Sequence, residues 1–350
     1  MLQKLKIREK EVQLPIFCPD ATLGVVRSLT SRELETEKVP GVIVNTWHLH
    51  LQPGEEKVAQ LGGIGRLMDY HGLIISDSGG FQVFSLFQKD PNYGKITDQG
   101  LVTYTGKSRQ HKLIFTPENS IQMQFALQSD IMICLDDFTP PSADEKRVAQ
   151  SVERTVAWAR RCQAEFQRQC RQRGLTTDTR PHLFGVIQGH FDKAARQKCA
   201  QELLKIGFDG YGLGGWLFNE DGSLNLDICA YNASLTPDNL PKYALGVGKP
   251  QDVRQLYQQG YTIFDCVLPT RDARHGRLYT KEGFLYLDKQ RYQLDEKPIE
   301  VGCDCQTCQR YTRAYLHHLL KVGDSAFYRH ATCHNLRFYT RLCEELATKV

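Results

Sequence analysis

The sequence predicts an α/β protein, a (β/α)8 TIM barrel with an inserted hairpin region and a C-terminal zinc-binding helical subdomain. Three observations carry that expectation. Eight short apolar runs end abruptly in a polar residue or a glycine. Amphipathic stretches separate most of them. Cys303, Cys305 and Cys308 crowd into one short segment, whereas the remaining cysteines are scattered singly.

The runs come in this order. PIFCPD ends at Asp20 and GVIVNT at Asn45. LIISDSGG carries Asp77, DIMICLDD carries Asp136 and LFGVIQG carries Gln188. DGYGLGG ends at Gly214 and Gly215, YALGVG at Gly248, and YTIFDC carries Asp265. Each is rich in Val, Ile, Leu or aromatic residues, as a parallel strand buried on both faces must be. Between them SRELETEKV, PENSIQMQFALQS, DEKRVAQSVERTVAWARRCQAEF and DKAARQKCAQELLKIG read as helices, with starts at Pro117 and Ser142. Phe87–Phe115 breaks the rhythm and reads as the inserted hairpin region. In such a barrel the catalytic groups stand at the carboxyl ends of the strands. That puts Asp77, Asp136, Gln188 and Asp265 at one mouth. The catalytic barrel is expected over residues 1–290 and the zinc-binding subdomain over 291–350.

Bulk properties narrow the class. A chain of 350 residues with 24% charged residues suits a globular protein. No apolar run reaches the roughly 18 residues of a membrane helix. The start MLQKLKIREKEVQ is too charged for a signal peptide, so a cytoplasmic protein without a membrane partner is expected. Isolated cysteines such as Cys134, Cys199 and Cys266 fit a reducing compartment. A net charge of +4 does not itself point to nucleic acid. Its distribution says more. Basic residues outnumber acids from Arg310 onward, where His317, His318, His330 and His334 also lie, and RDARHGR adds three arginines. Such a face suits a phosphate backbone.

Cysteines spaced as in Cys303-x-Cys305-x2-Cys308 are too close to pair among themselves. A CxxC redox pair normally follows a strand in a thioredoxin-like setting, so a zinc site closed by one downstream ligand is the better reading. A ligand on a second element packing back favours His330, Cys333 or His334 over His317 and His318. With four protein ligands the ion would be structural.

Asp77 precedes two glycines and Phe81 in SDSGGFQVF, offering an acid, bare backbone and an aromatic face to a planar heterocycle. Asp265 precedes spaced arginines in FDCVLPTRDARHG. Two carboxylates at one mouth suit glycosidic chemistry, one as nucleophile and one as proton carrier. His48-Leu49-His50 could instead open a metal-hydrolase site, but later strand ends lack the further histidines this needs.

SDSGGFQVFSL, FGVIQG, YALGVGKPQD, FDCVLPTRDARHG and CDCQTC…RAYLHHLL…HNLRFY, in this order, resemble the tRNA-guanine transglycosylases. NTWHLHLQPG and LGGIGRLMDYHGLIISDSGG resemble the same family, so the likeness covers almost the whole chain. The resemblance implies exchange of the wobble guanine of GUN-anticodon tRNAs for a 7-deazaguanine. It implies Asp265 as nucleophile at the ribose anomeric carbon and Asp77 as general acid/base. Asp136 and Gln188 would bind the edge of the heterocycle, Phe81 would stack on it, and Gly215 would read the opposite edge. Arg271 and Arg274 would grip the tRNA anticodon loop. His334 would be the fourth ligand of one structural Zn2+ per chain, and a homodimer is expected.

Several positions depart from the family pattern. The usual GGLSVGE reads GGWLFNEDG here, so Trp216 replaces a smaller residue while Glu220 keeps the acid's place in the pocket wall. Phe138 stands where many bacterial members have cysteine, and His190 follows Gln188-Gly189. With the LDD run at Leu135–Asp137, these changes favour queuine over the aminomethyl precursor as the incoming base. A non-catalytic partner subunit should lack a catalytic acid, and both are present. A relative that inserts deazapurines into DNA is the other alternative.

Overall fold

The computed structural model describes residues 2–90, 92–105 and 111–348. All eight apolar runs are strands of one parallel sheet. They are β1 (Ile16–Pro19), β2 (Gly41–Val44), β3 (Leu73–Ser76), β4 (Ile131–Ile133), β5 (His182–Ile187), β6 (Gly210–Leu213), β7 (Lys242–Ala244) and β8 (Ile263–Cys266). Each pairs with the next in sequence from β2 to β8, and β8 pairs back onto β1 with Asp265 opposite Cys18. A bridge between Asp20 and Ile43 then joins the end of β1 to β2, so the ring is nearly closed. The (β/α)8 expectation is met.

The lumen is a packed core. Ile16, Ile43, Ile131, Phe184, Val186 and Tyr243 form one buried cluster, which Leu5, Ile7 and Leu14 extend. Those three belong to or flank a hairpin of Lys4–Ile7 and Lys10–Gln13. Arg8 and Lys10 tie it to Asp130, one residue before β4 begins. The hairpin therefore covers the end where the strands start. The other end stays open, as a barrel enzyme requires.

The helix Glu145–Gln172 starts later than Ser142, because the Asp144 side chain accepts from the Arg147 amide and caps the first turn. The helix at Pro117 begins as expected, with Thr116 and Asn119 forming a capping box. The insertion is a three-stranded antiparallel sheet of Gly94–Thr97, Gly100–Thr105 and His111–Phe115. Of that region, residues 91 and 106–110 lie outside the described residues.

The helix Ser325–Ala347 packs its Phe338, Tyr339, Leu342 and Leu346 against a barrel cluster that includes Phe17 and Phe264. The Tyr339 and Phe17 rings lie 4.2 Å apart. The same helix carries His334, so one rigid rod links the cysteine cluster to the barrel wall. Among the described residues no helix is long and apolar enough to cross a membrane.

Candidate active site and metal centre

A cavity of about 400 Å3 opens at the carboxyl ends of the strands. Asp20, Asp77, Asp136 and Asp265 line it, with Phe81, Phe138 and Gly215 among its walls. Local chain geometry places each acid. Asp77 directly follows β3, and Gly79 then turns the chain at φ +81° into the helix Gly80–Lys89. A side chain on Gly79 would press on Trp47 at 3.3 Å, so glycine meets both demands there.

Asp77 Oδ2 accepts from Asn45 Nδ2 at 2.6 Å, and Oδ1 accepts from the amides of Thr46 and Gly79 at 3.1 and 3.0 Å. These donors favour the carboxylate, yet burial outweighs them and pushes the Asp77 carboxyl up to about 7, with the Asp265 charge adding to the rise. Asp265 stands inside β8. Its Oδ1 accepts from Tyr243 Oη and from the Gly246 amide, each at 2.8 Å. Oδ2 has no partner among the described residues. Burial pushes Asp265 up to about 6, and the charge of Asp20 also raises it. Burial raises both acids of the cavity, and their hydrogen-bond donors differ.

Asp136 and Gln188 meet across β4 and β5: Gln188 Nε2 donates to Asp136 Oδ2 at 2.6 Å. Burial pushes Asp136 up to about 6. Gln188 is fully buried and its Oε1 has no partner among the described residues. An unpaired buried acceptor is costly unless a ligand donor completes it. Gly215 lies above this amide at φ +82°, where an added Cβ would sit 3.0 Å from Gln188 Oε1. Phe81 is 53% exposed at the mouth and meets Phe138 edge-on at 5.1 Å. Its free face is available for stacking.

Not every predicted residue gathers here. Trp216 and Glu220 are not among the cavity's lining residues. The Trp216 indole instead donates to the Phe218 carbonyl at 2.7 Å, and Glu220 is exposed. Arg271 and Arg274 lie on the helix Leu268–Arg274 just after Asp265, close to the mouth. Arg271 is half exposed, while Arg274 donates to the Thr270 carbonyl at 2.9 Å. Sequence reasoning missed Asn45, Tyr243 and Asp20 as site residues. Asn45 and Asp20 end barrel strands, a signal that could have found them. Tyr243 gave none, because an aromatic inside a strand reads as core.

The second centre is the cysteine cluster. Cys303, Cys305, Cys308 and His334 hold their donor atoms within 4.8 Å of one another, the only such group among the described residues. His334 Nδ1 lies 3.7, 3.6 and 3.3 Å from the sulfurs of Cys303, Cys305 and Cys308. Its Nε2 donates to the Tyr279 carbonyl at 2.7 Å. That bond puts the ring proton on Nε2 and leaves the Nδ1 lone pair facing the thiols, as a metal-bound imidazole needs. The set fits a tetrahedral Cys3His zinc site with no open position. The rival ligands are engaged elsewhere. His317 Nδ1 bonds the Leu287 carbonyl, His330 packs on Tyr311, and Cys333 accepts from Gln306. His48 and His50 fall on the helix Thr46–Leu51, with His50 held to Glu55.

A (β/α)8 barrel with paired acids at its mouth and a Cys3His cluster that could hold a metal at its flank is an arrangement suited to a glycosyl-transferring enzyme. Comparison with known proteins gives the family. Residues 2–350 match the family described as queuine tRNA-ribosyltransferase. A queuine tRNA-ribosyltransferase of Solidesulfovibrio magneticus is 39% identical over 97% of this chain and 88% of its own length. One from Halothermothrix orenii is 38% identical over 99% and 88%, and one from Nitrosospira multiformis 39% over 99% and 91%. The chain belongs to the queuine tRNA-ribosyltransferase family.

Proposed function

We propose that the protein is a tRNA-guanine transglycosylase that replaces the wobble guanine of GUN-anticodon tRNAs with a 7-deazaguanine, queuine in preference to the aminomethyl precursor. The observation that carries this reading is the pair Asp77 and Asp265, two half-buried carboxylates in one cavity, both with raised proton affinity. With Asp265 pushed to about 6 and Asp77 to about 7, neutral pH leaves the first mostly ionised and the second partly protonated.

The chemistry follows from that division. The wobble nucleotide is unstacked from its loop and enters the cavity. Asp265 attacks C1′ of the ribose, and the C1′–N9 bond breaks with its electron pair leaving on guanine. Asp77, in its acid form, gives the proton the departing base needs. The ribose is now esterified to Asp265. The incoming base loses its N9 proton to Asp77, attacks C1′ and releases the Asp265 carboxylate. Two displacements give net retention. Asp136 and Gln188, joined side by side, bind one edge of the base, the Gly215 backbone reads the opposite edge, and Phe81 stacks on the ring. Trp216 and Glu220 act only through the loop that follows Gly215. Arg271 and Arg274 face the anticodon phosphates. Residues 1–290 form the catalytic unit. Residues 291–350, organised by one structural zinc, brace it and supply a basic flank for tRNA and for a second subunit of a homodimer.

The test is base exchange on an unmodified GUN-anticodon tRNA offered queuine or the aminomethyl precursor, with nucleosides read by mass spectrometry. Queuosine formed in preference supports the reading. The precursor nucleoside alone overturns the base preference, and no exchange by folded, zinc-replete protein overturns the activity.

A further inference from the structure

Asp20 is a carboxylate in the cavity that the proposed reaction does not use. It sits at the carboxyl end of β1, the strand hydrogen-bonded to the one that carries Asp265. In that register Asp265 faces Cys18 and Cys266 faces Pro19. Side chains alternate along a strand, so Asp20 points to the same side as Cys18 and Asp265, one step nearer the mouth. Burial is the main cause that raises Asp265, and the charge of Asp20 adds to it; burial and Arg27 lower Arg274, and the charge of Asp20 opposes them. Asp20 and the proposed nucleophile thus line the same cavity.

Its position is rigid. The Asp20 backbone bridges to Ile43 at the seam that closes the barrel. The Thr22 hydroxyl donates to Asp20 Oδ1. Oδ2 is left without a partner among the described residues. An extra anion beside a nucleophile that must be ionised is unfavourable for that nucleophile. The arrangement makes sense if a donor on the substrate takes up the spare oxygen.

We propose that Asp20 accepts a hydrogen bond from the 2′-hydroxyl of the reacting nucleotide, and so makes this site select ribose over deoxyribose. The inference rests on the transglycosylase reading and deepens it. The geometry of the sugar supports it. When C1′ meets Asp265, the 2′-oxygen is only two bonds away, and no other group on that side of the ribose is a donor. Asp265 cannot serve, since Tyr243 and Gly246 occupy one of its oxygens and the other forms the new bond. The 2′-hydroxyl is the group that distinguishes RNA from DNA. Hydrogen bonds to the equivalent hydroxyl in glycoside hydrolysis strengthen as positive charge builds on the sugar. A site built to bind a hydroxyl strongly disfavours the analogue that lacks it.

The experiment compares two anticodon stem-loops, one all-RNA and one with a single 2′-deoxyguanosine at the wobble position. Exchange of labelled guanine gives kcat/KM for each with the wild-type protein, Asp20→Asn and Asp20→Ala. The expected result is a wild-type preference for the RNA loop of about 100-fold or more. Both variants should lose about 10- to 100-fold on the RNA loop and almost nothing on the deoxy loop, bringing the two rates together. Where exchange on the deoxy loop is too slow to read, inhibition constants of the two loops as competitors give the same comparison. An equal loss on both loops would overturn the proposal, since Asp20 would then act on Asp265 or on the sugar charge alone. So would a wild-type enzyme indifferent to the 2′-hydroxyl. Failure of the wild-type enzyme to exchange guanine in the RNA loop would sink the transglycosylase reading itself.

Discussion

In the proposed reaction the acid form of Asp77 and the ionised form of Asp265 are needed together, so kcat/KM should trace a narrow bell with limbs near 6 and 7. Asn45→Ala tests which group sets the alkaline limb. Asn45 Nδ2 donates to Asp77 Oδ2 at 2.6 Å, and this bond favours the ionised form. A hydrogen bond to a charged group contributes about 1.5–3 kcal/mol, and one pKa unit corresponds to about 1.4 kcal/mol. The Thr46 and Gly79 amides remain, and water can replace part of the loss, so a rise of about one unit is expected. The sign is set by the chemistry. Losing the donor raises the Asp77 pKa further, the acid form survives to higher pH, and the alkaline limb moves upward. The acid limb, which follows Asp265, should stay in place. Asn45 Oδ1 also caps the helix Thr46–Leu51 by accepting from the His48 amide at 2.9 Å. The variant should therefore lose about 1 kcal/mol of stability, and rates must be taken well below its melting temperature. The assay is guanine exchange into an anticodon stem-loop from pH 5 to pH 9. An alkaline limb that stays fixed or moves down would refute the assignment of Asp77.

Asp265→Asn should form no SDS-resistant adduct with tRNA and lose exchange by several orders of magnitude; an adduct that persists would reassign the nucleophile. Cys305→Ser should drop zinc from one ion per chain to none by elemental analysis, and chelation of the wild-type protein should lower its melting temperature, because four-ligand zinc contributes directly to folding. In Gly248→Ala the added Cβ would fall 2.2 Å from Cys266 Cβ on β8. Overpacking of that kind costs about 1–3 kcal/mol, and the displaced strand carries Asp265. Exchange should fall at least tenfold while zinc content holds, and a fully active variant would show that β8 tolerates movement.

The barrel was legible because a parallel strand covered on both faces has to be apolar throughout. Eight such runs, each stopped by a polar residue or glycine, also locate the mouth. The cysteine cluster was legible for a similar reason, since ligands on one short turn must be close in sequence. Asp144 was harder to foresee than Ser142 as the cap of the long helix, because both are good capping residues and only the chain path decides which oxygen reaches an amide. Trp216 shows the same limit. Its position beside Gly215 suggests a pocket wall, yet the indole turns to the Phe218 carbonyl. Tyr243 is the reverse case. It reads as lumen packing and is buried there, but its hydroxyl reaches Asp265.

Local residue chemistry therefore determined the fold class, the acids at the mouth and three of the four members of the Cys3His cluster, because burial pattern and short-range spacing are written along the chain. Tertiary structure decided the rest. It set His334, rather than its neighbours, beside the three cysteines through the Tyr279 carbonyl, raised the proton affinities of Asp77 and Asp265 through burial, and brought Asp20 beside Asp265 across the β1–β8 pairing. Those outcomes depend on distances between residues far apart in sequence, which closure of the barrel and packing of the C-terminal helix create.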